Sequence, residues 1–252
     1  MIEAQSVSKR YGQTLVVDDV SLRIPRGGLT SIIGPNGAGK STMLSMISRL
    51  LPMSAGTVLV DGQDIHTTPS HVLARKLAIL RQDNHMALRL TVRDLVAFGR
   101  FPHSQGRLSR DDEARIDAAL AHLHLQTLGG RYLDEISGGQ RQRAFVAMVM
   151  CQDTDYVLLD EPLNNLDMHH AVAMMGLLRS LADEHGKTVV VVVHDINFAS
   201  TYSDHIVAMK HGRLACQGSP TELIQEDVLQ SLYEMAVRVH EIAGQRICVY
   251  YR

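Results

Sequence analysis

Two short stretches of the 252-residue chain have residue types and spacing suited to phosphate chemistry. Gly34-Pro35-Asn36-Gly37-Ala38-Gly39-Lys40-Ser41-Thr42 fits the GxxxxGK(S/T) phosphate loop. Its glycines let the backbone wrap so that successive N–H groups face phosphate oxygens. A helix beginning at Lys40 adds its positive end. In that setting Lys40 is expected to reach the β- and γ-phosphates of a nucleotide, and the Ser41 hydroxyl to hold Mg²⁺. The second stretch is Tyr156-Val157-Leu158-Leu159-Asp160-Glu161. Four apolar residues drive a strand into a sheet and leave two carboxylates at its end. Asp160 is expected to engage Mg²⁺, and Glu161 to act near the γ-phosphate as general base or water-positioning group. Taken singly, one stretch is a Gly-rich turn and the other a strand end with solvated acids. Together they point to a site for a nucleotide and Mg²⁺.

His194 directly follows the aliphatic run Thr188–Val193. In open parallel sheets ligands gather at the carboxyl ends of strands. Gly34, the pair Asp160 and Glu161, and His194 each end an expected strand, so all are expected at one sheet edge, with His194 on the γ-phosphate. Ser137-Gly138-Gly139-Gln140 opens an expected helix as an S-x-x-Q capping box. Two glycines in a first turn each forfeit up to ~1 kcal/mol of helix propensity, and a capping box has no need of them. Close approach of a ligand to bare backbone explains them, because helix starts bind anions. A second phosphate-binding end is therefore expected, away from the first.

The elements that must position these residues alternate in character. Leu29–Ile33, Gly56–Gly62, Leu77–Leu80, Tyr156–Leu159 and Thr188–Val193 read as strands, and Lys40–Leu50 as a helix. Runs apolar on every residue, alternating with helices, indicate a parallel sheet covered on both faces. Between Gln82 and Tyr156 the pattern is helical, near Thr91–Gly99, Asp111–His124 and Gln140–Cys151, and reads as an inserted subdomain. Met168, Val172, Met175, Leu178 and Ala182 form an apolar stripe at helical spacing. The tail, with Asp204–Ser219 and Val237–Tyr251, reads as edge strands and small helices.

Composition narrows the class. A net charge of −2 gives no basic footprint for nucleic acid or anionic lipid. Three widely spaced cysteines form neither a disulfide framework nor a zinc pattern, which suits a reducing compartment. His122 with His124 and His169 with His170 share no helix face, so solvated or capping histidines are expected. No apolar signal core opens the chain. The run Val189–Val193 is far short of the ~20 residues that span a bilayer, so a membrane role is expected to come through a partner.

The motifs together resemble the nucleotide-binding subunit of ATP-binding-cassette transporters, along essentially the whole chain. The resemblance implies a single domain, 1–252. Its α/β P-loop NTPase core is RecA-like, a mostly parallel sheet flanked by helices over 1–85 and 154–252, with an antiparallel β subdomain and an α-helical signature subdomain inserted at 86–153. Ser137–Gln140 is then the signature motif, with Ile136 where Leu usually leads it. Tyr11 resembles the aromatic residue that stacks on adenine. Gln82 resembles the glutamine that contacts Mg²⁺ and the attacking water. Asn164-Asn165-Leu166-Asp167 resembles the loop that crosses the dimer interface, where many relatives carry Ser-Ala-Leu-Asp; Asp167 could also cap the helix that follows. The resemblance implies a head-to-tail dimer of two copies with two ATP molecules between them, each held by the phosphate loop of one copy and Ser137–Gln140 of the other.

Arg81-Gln82-Asp83-Asn84, Thr91 to His103, and Glu161 to Met168 are similar to the importer ATPases for iron–siderophores, a group that also serves haem and cobalamin. The resemblance implies permease subunits in the membrane, a periplasmic or lipoprotein substrate-binding protein acting indirectly, and a peripheral place on the cytoplasmic face of the inner membrane. Haem or cobalamin cargo is the alternative. A soluble cassette ATPase of DNA repair or translation fits less well: the interval from Gln82 to Ser137 has no room for a long coiled coil, and there is one cassette. A small-molecule kinase leaves Ser137–Gln140 and His194 unexplained.

Overall fold

The computed structural model describes residues 1–82, 88–164 and 166–251; Asp83, Asn84 and Asn165 of the motifs above lie outside the described residues. In chain order the elements are β1 (Ile2–Tyr11), β2 (Thr14–Ile24), β3 (Gly28–Ile33), α1 (Lys40–Ile47), β4 (Ala55–Val60), β5 (Gln63–Asp64), α2 (Ser70–Lys76) and β6 (Leu77–Leu80). Then come α3 (Val92–Phe98), α4 (Phe101–Ser104), α5 (Arg110–His122), α6 (Gly138–Cys151), β7 (Tyr156–Asp160) and α7 (Met168–Asp183). The last are β8 (Thr188–Val192), α8 (Ile196–Tyr202), β9 (His205–Lys210), β10 (Arg213–Gly218), α9 (Pro220–Leu223), α10 (Glu226–Tyr233), β11 (Arg238–Ile242) and β12 (Gln245–Val249). They group into two compact units, Met1–Thr68 with Arg179–Arg252, and Pro69–Leu178.

The first unit holds two kinds of sheet. β1 pairs antiparallel with β2, setting buried Ile2 opposite Ile24, Ala4 opposite Leu22 and Val7 opposite Val20. On its other side β1 pairs antiparallel with β4. The parallel part is centred on β3, which lies between β8 and β9 with Ile32 opposite Val192 and Val207. Leu29–Ile33, the whole of β8, and Ile206–Met209 are buried, as strands covered on both faces should be. The reading of 204–219 as edge strands holds for β10, which pairs antiparallel with β9 at the end of the sheet, and is corrected for β9, an interior strand between β10 and β3. The run Ile206-Val207-Ala208-Met209 carries the every-residue apolar signature of such a strand.

The second unit pairs β6 and β7 in parallel, with Leu80 opposite Leu159, and packs α3, α5 and α6 around Leu95, Ile116, Leu120, Phe145 and Val149. Each of these helices starts in a capping box, Thr91 with Asp94, Ser109 with Asp112, and Ser137 with Gln140. α7 runs on from this unit into the first, and its buried face differs from the expected stripe. Ala171, Met174, Met175, Leu178, Leu181 and Ala182 are buried, whereas Met168 and Val172 are 78% and 45% exposed. At about 100° per residue the buried arc is centred near Leu178, and Met168 and Val172 fall beyond its margin. Among the described residues no helix is long and apolar enough to cross a membrane.

One ion pair is buried within the second unit. Arg100 Nε donates to Asp112 Oδ1 at 2.8 Å with both side chains at most 7% exposed, and Arg100 Nη1 donates to Cys151 O at 2.9 Å. The Ser109 amide N–H, and after it the Arg100 guanidinium, pull the Asp112 carboxyl down to about 2 from its ordinary 3.8. A carboxyl with its folded pKa lowered stabilises fully above the unfolded value. That contribution fades as pH falls from about 4 toward about 2. Arg100→Ala, which strands a buried carboxylate, should cost ~3–5 kcal/mol in urea denaturation at pH 7, with the loss shrinking toward pH 2. Arg93→Ala removes exposed pairs to Glu113 and Asp117 and should cost under ~1 kcal/mol. Equal losses from the two variants would refute the distinction.

Candidate functional site

The phosphate loop is built by its surroundings. β3 delivers Gly34 with φ 142°, and a Cβ there would lie 2.0 Å from Met209 O on β9. Only glycine fits. Within the loop Ala38 N donates to Pro35 O at 3.2 Å, and Asn36 and Gly37 are exposed at the tip. Lys40, the first residue of α1, is 5% exposed; its Nζ donates to Gly34 O at 2.8 Å and Pro35 O at 2.9 Å. Ser41 and Thr42, half-buried, follow in the first turn. No carboxylate occupies that turn to offset the helix's positive end. A Gly-rich loop running into a helix start with Lys40 at its head has the positive character suited to a polyanion.

Gly212 is a residue that the sequence reading did not single out. Its N–H donates to Ala38 O at 3.2 Å, and its carbonyl accepts Asp18 N–H at 2.8 Å. A Cβ at this position would fall 2.5 Å from Val16 O. The available signal was the His211-Gly212 pair between two strands, both at positive φ, as tight hairpin turns require.

His194 and Gly34 leave neighbouring parallel strands at the same end. Val193 N donates to Ile32 O at 3.2 Å, and His194, exposed, comes next. Tyr11 ends β1 with its ring 49% exposed and Lys9 Nζ 5.1 Å from the ring centroid, a flat, open surface against which a base could stack.

In the second unit Gln82 and the pair Asp160 and Glu161 likewise leave neighbouring parallel strands, β6 and β7, at one end. Asp160 is 7% exposed. Glu161 adopts a left-handed conformation, φ 50°, which turns its side chain out of the strand's alternation. Gln82 Nε2 donates to Glu161 Oε2 at 2.7 Å. Asn164 Nδ2 donates to the same oxygen, a contact that sequence reasoning did not anticipate.

Ser137 caps α6 reciprocally: Gln140 N donates to Ser137 Oγ at 3.3 Å and Ser137 N to Gln140 Oε1 at 3.0 Å. A Cβ at Gly138 would meet nothing within 4 Å, and one at Gly139 would make ordinary contact, 3.4 Å from His170 Cδ2. Neither glycine has positive φ, so among the described residues no steric or backbone demand accounts for them. Asp167 caps α7, accepting His170 N–H at 2.9 Å and contacting His170 Nδ1 at 2.8 Å. That amide and then the ring hold its carboxyl below the usual range.

Ser41, Asp160 and Gln82 offer a hydroxyl, a carboxylate and an amide, the oxygen donors that Mg²⁺ prefers over nitrogen or sulfur. With Gln82 Nε2 committed to Glu161, the amide's acceptor end is the one chemically suited to a cation. The donor set fits.

Known proteins resemble the chain in sequence and in fold. The sequence profile described as ABC transporter matches residues 17–164. The petrobactin import ATP-binding protein YclP of Bacillus subtilis (strain 168) is 53% identical over 251 residues, covering 100% of each chain. The petrobactin import ATP-binding protein FatE of Bacillus anthracis is 50% identical over 250 residues, covering 99% of this chain and 100% of its own. Among solved structures, the ATP-binding cassette MJ0796, a dimer in a post-hydrolysis state bound to ADP and Pi, superposes with a TM-score of 0.77 at 29% identity, over 87% of this chain and 99% of its own. With the P-loop NTPase fold and the motifs expected of it, the chain belongs to the ABC transporter family, as one of its ATP-hydrolysing subunits.

Proposed function

We propose that the chain powers uptake of a ferric siderophore, working as a dimer on the cytoplasmic face of the inner membrane beneath permease subunits that receive cargo from a substrate-binding protein. The cargo class is supported by the full-length identity to two petrobactin import proteins. The hydrolytic part rests on one observation above all: a glutamate at a strand end, turned into the left-handed region and gripped by the amide of Gln82, directly after a buried aspartate.

In this reading Tyr11 stacks on adenine, and the amides of residues 34–42 with Lys40 hold the β- and γ-phosphates. Ser41, Asp160 and Gln82 hold Mg²⁺, which when bound neutralises phosphate charge. Glu161 orients a water and accepts its proton as the water oxygen bonds to the γ-phosphorus. The bond from that phosphorus to the β,γ-bridging oxygen breaks, and ADP and phosphate leave. His194 donates a hydrogen bond to a γ-phosphate oxygen. Ser137–Gln140 of a second copy supplies the opposite wall, where Gly138 and Gly139 leave backbone N–H groups uncovered, with Asp167 nearby at the dimer interface.

Glu161→Gln should retain ATP binding, lower turnover by on the order of 10²–10⁴-fold, and accumulate an ATP-bound dimer in size-exclusion chromatography; parental turnover would remove Glu161 from the mechanism. Recovery of that variant from native membranes together with a polytopic permease would support the importer reading, and recovery with ribosomes or DNA would overturn it. Lys40→Ala should abolish detectable ATP binding in calorimetry, and unchanged affinity would count against the phosphate loop. Ser137→Arg should bind ATP as a monomer yet fail to dimerise; an ATP-stable dimer of this variant would refute the shared site.

A further inference from the structure

Asn164 stands where many relatives carry serine, and the structure gives it a task of its own. Glu161 and Asn164 close a turn in which Asn164 N donates to Glu161 O at 3.2 Å. Pro162 occupies the second position, where its fixed φ favours such turns. The turn folds the Asn164 side chain back, and its Nδ2 donates to Glu161 Oε2. Gln82 Nε2 donates to that same oxygen at 2.7 Å from the strand end next door. One carboxylate oxygen thus accepts from two backbone segments, 82 residues apart in the chain. A serine hydroxyl sits one bond closer to its own backbone than the asparagine amide nitrogen does, so it would not span the same gap.

We propose that Asn164 is a positioning residue for hydrolysis, fixing the Glu161 carboxylate jointly with Gln82 before it takes the proton of the attacking water. The inference rests on the reading of Glu161 as the group that activates water. Its physical basis is preorganisation: a base held in one orientation loses no entropy in reaching the reactive geometry, and a misplacement of about 1 Å costs up to ~10²-fold in rate. The side-chain amide is suited to the task because it donates to a carboxylate without adding charge beside the phosphates. An aspartate of the same shape offers only acceptors and repels Glu161.

The test measures steady-state ATPase kinetics of Asn164→Ala and Asn164→Asp, with ATP affinity determined separately by calorimetry. Both variants should bind ATP as the parent does. Both should lower kcat by ~10–100-fold while KM stays within about twofold, and Asn164→Asp should be the worse. Asn164→Ala introduced into Glu161→Gln should not slow the residual single-turnover hydrolysis further, because its effect passes through the carboxylate. A general structural role would lower both backgrounds alike and would overturn the proposal. So would a parental kcat in either single variant. Asn164→Asp keeps the side-chain shape and tests the idea even where Asn164→Ala fails to fold. Should Glu161→Gln hydrolyse ATP at the parental rate, the base assignment itself is what fails; should it be inactive while both Asn164 variants are normal, only the positioning role falls.

Discussion

The carbonyl oxygen of Met209 lies 2.0 Å from where a side chain at residue 34 would begin, and this crowding between β9 and the phosphate loop organises much of the first unit. Glycine there lets strand β3 run into the loop with its backbone pressed against the neighbouring strand. Gly212 links Ala38 to Asp18 by two backbone hydrogen bonds, and the adjacent Arg213 pairs with the Asp18 carboxylate, so β2, the loop and the β9–β10 turn are tied together. A loop rich in glycine has little conformational preference of its own. Its shape is imposed by the neighbouring strands, which hold its backbone through main-chain contacts. Lys40 completes the arrangement from within, its ammonium bonded to the carbonyls of Gly34 and Pro35.

The second unit solves a related problem with a non-glycine residue. Glu161 sits at φ 50°, a region that costs a non-glycine residue on the order of 1–3 kcal/mol. The strain is local, and its compensation is local too: the backbone turn to Asn164 and the two amide donors on one carboxylate oxygen. Burial of Tyr156–Asp160 anchors the strand, so the distortion is confined to the residue that follows it. The chain thereby keeps Asp160 in line with the strand and turns Glu161 away from it. Two adjacent acids can serve two different partners in this way.

Much of this was legible in the sequence because the relevant signals are short-range. The phosphate loop, the two acids after Tyr156–Leu159, and the reciprocal cap of Ser137 and Gln140 each lie within ten residues, where spacing determines geometry. The interior strands were legible from unbroken apolar runs, and Ile206–Met209 had the same signature although its neighbourhood read as an edge. What was hidden depends on pairing at a distance. β1 breaks its alternation at irregularities between Ala4 and Val7 and between Val7 and Lys9, so a period of two is lost. On α7 several apolar residues lie on more than one face, and only packing decides that Ala171 and Met174 go in while Met168 and Val172 stay out. Gly212 is 178 residues from Gly34 in the sequence, and its contact with the loop is set by the sheet. Asn164 was visible as a departure from the family's usual serine, but the reach of its amide to Glu161 needs the turn geometry.

The glycines separate into two kinds. At Gly34 and Gly212 a side chain would collide with main chain of the same protein, so the internal structure accounts for them. At Gly138 a side chain would meet open space, and at Gly139 only ordinary contact, while the helix they begin forfeits up to ~1 kcal/mol for each. Selection for stability or folding of the isolated chain would have no reason to keep them. The proposed function gives such a helix start, well capped and stripped of side chains at its own expense, a reason: something outside the chain that comes close to its backbone. That external need is what a phosphate held against a second copy would supply, and it links the local energetics of one helical turn to assembly of the whole.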